Sequence, residues 1–181
     1  MKTRNLSALF VMLLIASGLS GCKQVKRMFR NTTKEAQAFN NKLVAANKTI
    51  NLAAQAFGRH LKPVLEGKKA DSAALDKKFT EMKAAFDRVD QEMKGLKVPD
   101  LDGAKKLYDA HQKFLDGQRE MINGTLKKIL EVAKNDKLDV QAKRLQISKL
   151  LPEISKREGQ DLKVLRTAQR EFAGKNKLQL R

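Results

Sequence analysis

The chain has 181 residues, with 38 Lys+Arg against 20 Asp+Glu and a formal net charge of +18. A single cysteine excludes an intramolecular disulfide, so stability has to come from packing. Aromatics are 5%, prolines number three, and Ala, Leu, Lys, Glu, Gln and Arg dominate, a composition of helix formers that argues against strands.

The first residues form an export signal. Lys2 and Arg4 supply a positive start, Leu6 to Ala16 an apolar stretch, and Ser17, Gly18, Ser20 and Gly21 are the small residues before Cys22. The apolar stretch is about half the roughly 20 residues needed to cross hydrocarbon, so it is a signal peptide and not a membrane span. Leu19-Ser20-Gly21-Cys22 resembles the lipobox of bacterial lipoproteins. The resemblance covers residues 1–22. It implies cleavage after residue 21 and acylation of Cys22, hence a lipid anchor in the cytoplasmic or outer membrane with the domain facing the periplasm or the exterior. Under enterobacterial-type sorting, Lys23 in place of an aspartate implies the outer membrane.

Two or more acyl chains hold a protein stably, since each buried methylene is worth about 0.8 kcal/mol. Lys23, Lys26, Arg27, Arg30 and Lys34 follow the cysteine as a basic collar, each adding on the order of 1 kcal/mol against anionic headgroups.

Residues 22–173 are expected to fold as one all-α domain, an elongated antiparallel up-down-up-down four-helix bundle. In the first helix Phe29, Thr32, Ala36, Phe39, Leu43, Ala46, Ile50, Ala53 and Phe57 step by alternating three and four, which puts one apolar stripe on the helix. Pro63 weakens its end and Gly67 to Asp71 break it, with Asp71 or Ser72 as the next cap. Leu75, Phe79, Met82, Phe86, Val89, Met93 and Leu96 repeat the alternation in a second helix, closed by Gly95 and Pro99.

Asp100 can cap a third helix, whose seam runs from Leu101 through Ala104, Tyr108, His111, Leu115, Gln118, Ile122, Thr125 and Ile129 to Val132. A fourth, less regular segment turns Leu138, Leu145, Ile147, Leu151, Ile154, Leu162, Leu165 and Phe172 inward. Pro152 lacks an amide donor and should kink or briefly break it. Residues 174–181 are expected to fray. Short loops make neighbouring helices antiparallel and set the first beside the fourth. Three helices with a loose fourth is the other arrangement the pattern allows.

Charge is partitioned along the chain. Residues 22–70 hold eleven Lys+Arg against two Asp+Glu, residues 71–133 twelve against twelve, and residues 134–181 thirteen against six. With the first and fourth helices adjacent, one side of the bundle is basic and attracts polyanions. Export and the absence of an aromatic stacking platform disfavour nucleic acid. Anionic lipid, lipopolysaccharide, wall polymer or an acidic protein fits an envelope location better.

No enzyme signature is present. His60 and His111 are the only histidines and neither follows a Glu-x-x-His pattern. Phosphate loops and nucleophile elbows are missing as well, and the methionines at 28, 82, 93 and 121 sit at core spacing. No metal or cofactor is expected. His111, Gln118 and Thr125 recur every seven residues on the third helix's apolar arc, and Asn40 and Asn47 flank the first helix's seam at the same interval. Buried polar groups need partners. These five therefore form either a structural layer that fixes register or a ligand-binding or pH-sensing core around His111. Two functions stay open: a non-enzymatic interaction module held at a membrane, and a ligand-binding or sensing bundle.

Overall fold

The structure, a computed structural model, describes the backbone of residues 25–179 and the side chains of residues 32–179. The signal peptide, Cys22 and Lys23 lie outside the described residues, as do the side chains of Lys26, Arg27, Phe29 and Arg30. The described residues are helical with no strand. The helices are α1 (Val25–Leu65), α2 (Ser72–Lys94), α3 (Ala104–Met121), α4 (Lys127–Lys134) and α5 (Val140–Lys175), with a π-helical turn, Ile122–Leu126, joining α3 to α4. Met121, Ile122, Leu126 and Lys127 all have right-handed helical angles. The third bundle helix is therefore α3, the π turn and α4 in continuity, and four helices pack together.

Local chemistry accounts for the ends. Pro63 falls in the last turn of α1, which a Schellman closure terminates: Lys68 N–H donates to Pro63 O at 2.9 Å, Gly67 N–H to Val64 O at 3.1 Å, and Gly67 takes φ +79°. Asp71 caps α2 by accepting from Ala74 N–H at 2.9 Å, and Asp139 caps α5 in the same way, from Ala142 N–H at 2.8 Å. The third helix begins later than Asp100. Its N-cap is Gly103 at φ +81°, without a side-chain cap; that left-handed backbone favours glycine, while Phe172 of α5 lies only at ordinary contact distance. Pro152 lies within an uninterrupted α5. Where fraying is expected from Gly174, the helix continues to Lys175. It closes with Lys177 at φ 54° and Leu178 N–H on Ala173 O at 2.8 Å.

The apolar stripes meet in one core. On α1, Ala36, Phe39, Leu43, Ala46, Ile50 and Phe57 are buried as the alternation requires, while Thr32 is exposed. Leu75, Met82, Phe86, Val89 and Met93 of α2 are buried, as are Leu107, Leu115, Ile122 and Ile129 of the third helix. The fourth helix is not loose: Ile147, Ile154, Leu165 and Phe172 enter the core. Leu145 is a correction. It is 58% exposed, whereas Lys143, two residues earlier, is only 8% exposed, a lysine whose long methylene stem suits burial with a charged tip. Edge-to-face rings join α1 to α5 (Phe39 and Phe172, centroids 5.7 Å) and α1 to α2 (Phe57 and Phe79, 5.6 Å).

Polar pairs mark the remaining neighbours. Between the third helix and α5, Lys106 meets Glu171 at 2.5 Å, and Glu120 pairs with Arg157. Between α2 and the third helix, Tyr108 Oη donates to Met93 O at 3.0 Å, Arg119 meets Asp90 at 2.5 Å, and Lys134 pairs with Asp76. Arg119 also lies over the Phe86 ring, 5.5 Å from its centroid. Burial pushes the Asp90 carboxyl up, but hydrogen bonds from Lys94 and Arg119 outweigh it and hold the group below its ordinary value.

Candidate functional site

The five seam polar residues do not assemble into one layer. His111 of α3 is fully buried, and its Nε2–H donates to Asn47 Oδ1 of α1 at 3.0 Å. Its Nδ1 makes no hydrogen bond. Asn40, also on α1, instead accepts from Gln169 Nε2 of α5 at 2.9 Å. Thr125, in the π turn, donates to Glu153 Oε1 of α5 at 3.0 Å, with Glu153 exposed at the bundle edge. These are three separate interhelical ties between different helix pairs. A common heptad phase on two helices does not bring residues together when their neighbours belong to different partners. Burial drives the His111 pKa down to about 4, with a small opposing pull from the Leu43 backbone, so the ring is neutral near pH 7.

Gln118 is the fifth residue, and it differs from the others. Only 6% exposed, it leaves its Nε2 without a partner, and it lines a cavity of 420 Å³. A volume of this size suits a small ligand. Ile50, Ala54, Phe57 and Gly58 form its α1 wall, and Leu151, Ile154 and Glu158 its α5 wall. The third helix contributes Gln118, Met121, the π-turn residues Ile122 and Leu126, and Ile129. Such turns interrupt helices at functional sites more often than elsewhere; Gly124, a poor helix former, sits in this one.

Five lining residues are polar: Gln55, Arg59, Lys62, Gln118 and Glu158. Gln55 is engaged, donating to Asn51 Oδ1 at 2.6 Å. Arg59 and Lys62 are exposed, whereas Glu158 is half-buried and burial pushes its pKa up to about 7. His111 lines neither this cavity nor a second, more open one bounded by Lys42, Thr49, Glu92 and Lys97. The polar side chains of that second cavity are exposed or half-buried, so no buried group calls for a ligand there. Of the basic collar, Lys34 is exposed on α1.

Sequence reasoning singled out Gln118 but not Glu158, Arg59 or the π turn. The available signal was a glutamine in an apolar seam close to a glycine, and it pointed to one wall only. No protein-family model, curated protein or solved structure matches the chain.

Proposed function

We propose that this chain is a non-enzymatic envelope lipoprotein. Lipid on Cys22 holds it to the cytoplasmic or outer membrane, with the bundle in the periplasm or outside. There it acts as a structural or interaction module whose basic α1 and α5 face meets anionic envelope components: anionic lipid, lipopolysaccharide, wall polymer or an acidic protein. The observation that carries this reading is the contact between α1 and α5 through Asn40–Gln169 and Phe39–Phe172. It makes neighbours of the two chain segments that hold the excess of Lys and Arg, while the segment between them is balanced. A field concentrated in this way attracts polyanions.

The bundle is an elongated rod with an antiparallel up-down-up-down path and a bend at Pro152. Three pairings between the third helix and α5 support the path, since Lys106, Glu120 and Thr125 meet Glu171, Arg157 and Glu153, descending as the first set ascends. The missing amide and the ring clash of Pro152 support the bend.

Binding of anionic vesicles or lipopolysaccharide by the chain without its first 22 residues tests the basic face. Charge reversal at Arg27, Arg30, Lys156 and Arg166 is expected to weaken binding far more than reversal at Lys77, Lys83, Lys105 and Lys113. Binding should also fade as salt rises, because screening acts over about 8 Å at physiological ionic strength. Equal losses from the two sets would show that net charge alone matters.

A further inference from the structure

Apolar walls, open space and an unsatisfied polar group occur together at one place in this bundle. Gly58 lines the cavity from α1, and beyond its own stretch of helix no heavy atom lies within 4 Å of the position a Cβ would occupy there. Gln118, more than nine-tenths buried, presents an amide N–H2 group that no protein atom accepts. A buried donor without an acceptor is costly, and a ligand oxygen would remove that cost. The aliphatic and aromatic lining suits a hydrocarbon chain, while Arg59 and Lys62, both exposed on α1, are the lining cations. Lys62 is held only by an exposed contact with Glu66 at 3.5 Å, which a stronger anion can displace.

From this juxtaposition we propose that the cavity binds a single-chain amphiphile. Its hydrocarbon lies among Ile50, Phe57, Met121 and Ile154, and its anionic oxygen-bearing head is held by Gln118, Arg59 and Lys62. Glu158 does not oppose such a head. Burial raises its pKa to about 7, so below that pH its protonated form donates a hydrogen bond where a carboxylate would repel. With Arg59 and Lys62 it completes the titratable residues of the lining. A fatty-acid carboxylate and a lysophospholipid phosphate share this chemistry. The inference depends neither on the lipid at Cys22 nor on the basic face.

The test uses the full-length chain in detergent-free buffer with phosphatidylcholine nanodiscs added, whether or not the chain is held to them, titrated with the fluorescent fatty acid cis-parinaric acid. Gly58→Leu projects an aliphatic side chain from a position where its Cβ meets no surrounding atom, and because bilayer partition of the probe is the same for both proteins, the difference between them reads the cavity. Saturable binding is expected for the native chain, and binding on the order of tenfold weaker for Gly58→Leu. Gln118→Leu supplies the independent second variant: weaker binding together with a higher melting temperature, since the unsatisfied amide is gone. Displacement by palmitate or by lysophosphatidylglycerol supports the proposal and distinguishes carboxylate from phosphate as the preferred head. Equal displacement by cetyltrimethylammonium overturns the anionic head. Unchanged binding in both variants, or no saturable signal above empty nanodiscs, overturns the site.

Discussion

Gly117 of α3 lies under the carboxylate of Asp161 on α5: a Cβ at Gly117 would stand 2.2 Å from Asp161 Oδ2 and 3.1 Å from its Cγ. The glycine lets the two helices come this close. Gly117→Ala has to displace a short side chain between packed helices, at a cost of about 1–3 kcal/mol that outweighs a helix-propensity gain of about 1 kcal/mol. With Asp161→Ala in the background the obstacle is removed, and Gly117→Ala should become neutral or stabilising. Urea denaturation of the four proteins of this cycle measures the coupling; additive effects would show that the two residues do not meet.

The core assignment is tested by Leu43→Asp, since Leu43 is 3% exposed on α1. An unpaired buried charge should cost several kcal/mol, roughly 3–5, a large share of the stability of a marginal domain. Full helicity and an unchanged melting temperature by circular dichroism would contradict the burial of this seam. Phe86→Asp is less clean, because Arg119 lies over that ring and could pair with the new carboxylate.

Acid and base act oppositely on two buried groups. His111 has its pKa lowered from 6.5 to about 4, so its contribution is present above pH 6.5 and lost as pH falls from there toward 4, on the order of 3 kcal/mol in all. Glu158 has its pKa raised from 4.5 to about 7, so its contribution is present below pH 4.5 and lost as pH rises toward 7; solvent contact on this half-buried group makes it smaller. Between pH 4.5 and 6.5 the two slopes oppose each other. Relative to the native chain, Glu158→Gln should make stability rise more steeply with pH across that window, and His111→Gln should tilt it the other way. Parallel pH profiles for all three proteins would show that neither group is buried as described.

The anchor has its own test. Cys22→Ser should abolish metabolic labelling with radioactive palmitate and leave unprocessed precursor or a soluble form. Normal processing together with membrane fractionation of this variant would refute the lipoprotein reading.

Hydrophobic spacing was a reliable guide wherever a helix is long and one side of it faces the core. The alternation on α1 predicts burial from Ala36 to Phe57, and the structure has it there except at Ala53, which is half-buried. It failed at Leu145, near the start of α5, where the local pattern is irregular and solvent reaches the side chain. Asp100 has the right chemistry for a cap, but the helix takes its N-cap three residues later, at Gly103 with φ +81°. The π turn leaves the inward positions Ile122 and Thr125 buried, so it leaves no gap in the pattern. The cavity depends on the spacing between α1 and α5, which no pattern within a single helix encodes. Hence Gln118 was legible as a buried polar group, while the space in front of it was not.

Phe172, fully buried against Phe39, stands 133 residues after it in the sequence. The ring that joins α5 to α1 is thus made only after α1, α2 and the third helix, because synthesis runs from the N-terminus. Until then the Phe39 side of α1 has no α5 to cover it, and the nascent chain displays an open apolar seam. Closure of the bundle is therefore a late event in synthesis, and chain-binding chaperones have a defined surface on which to act before it.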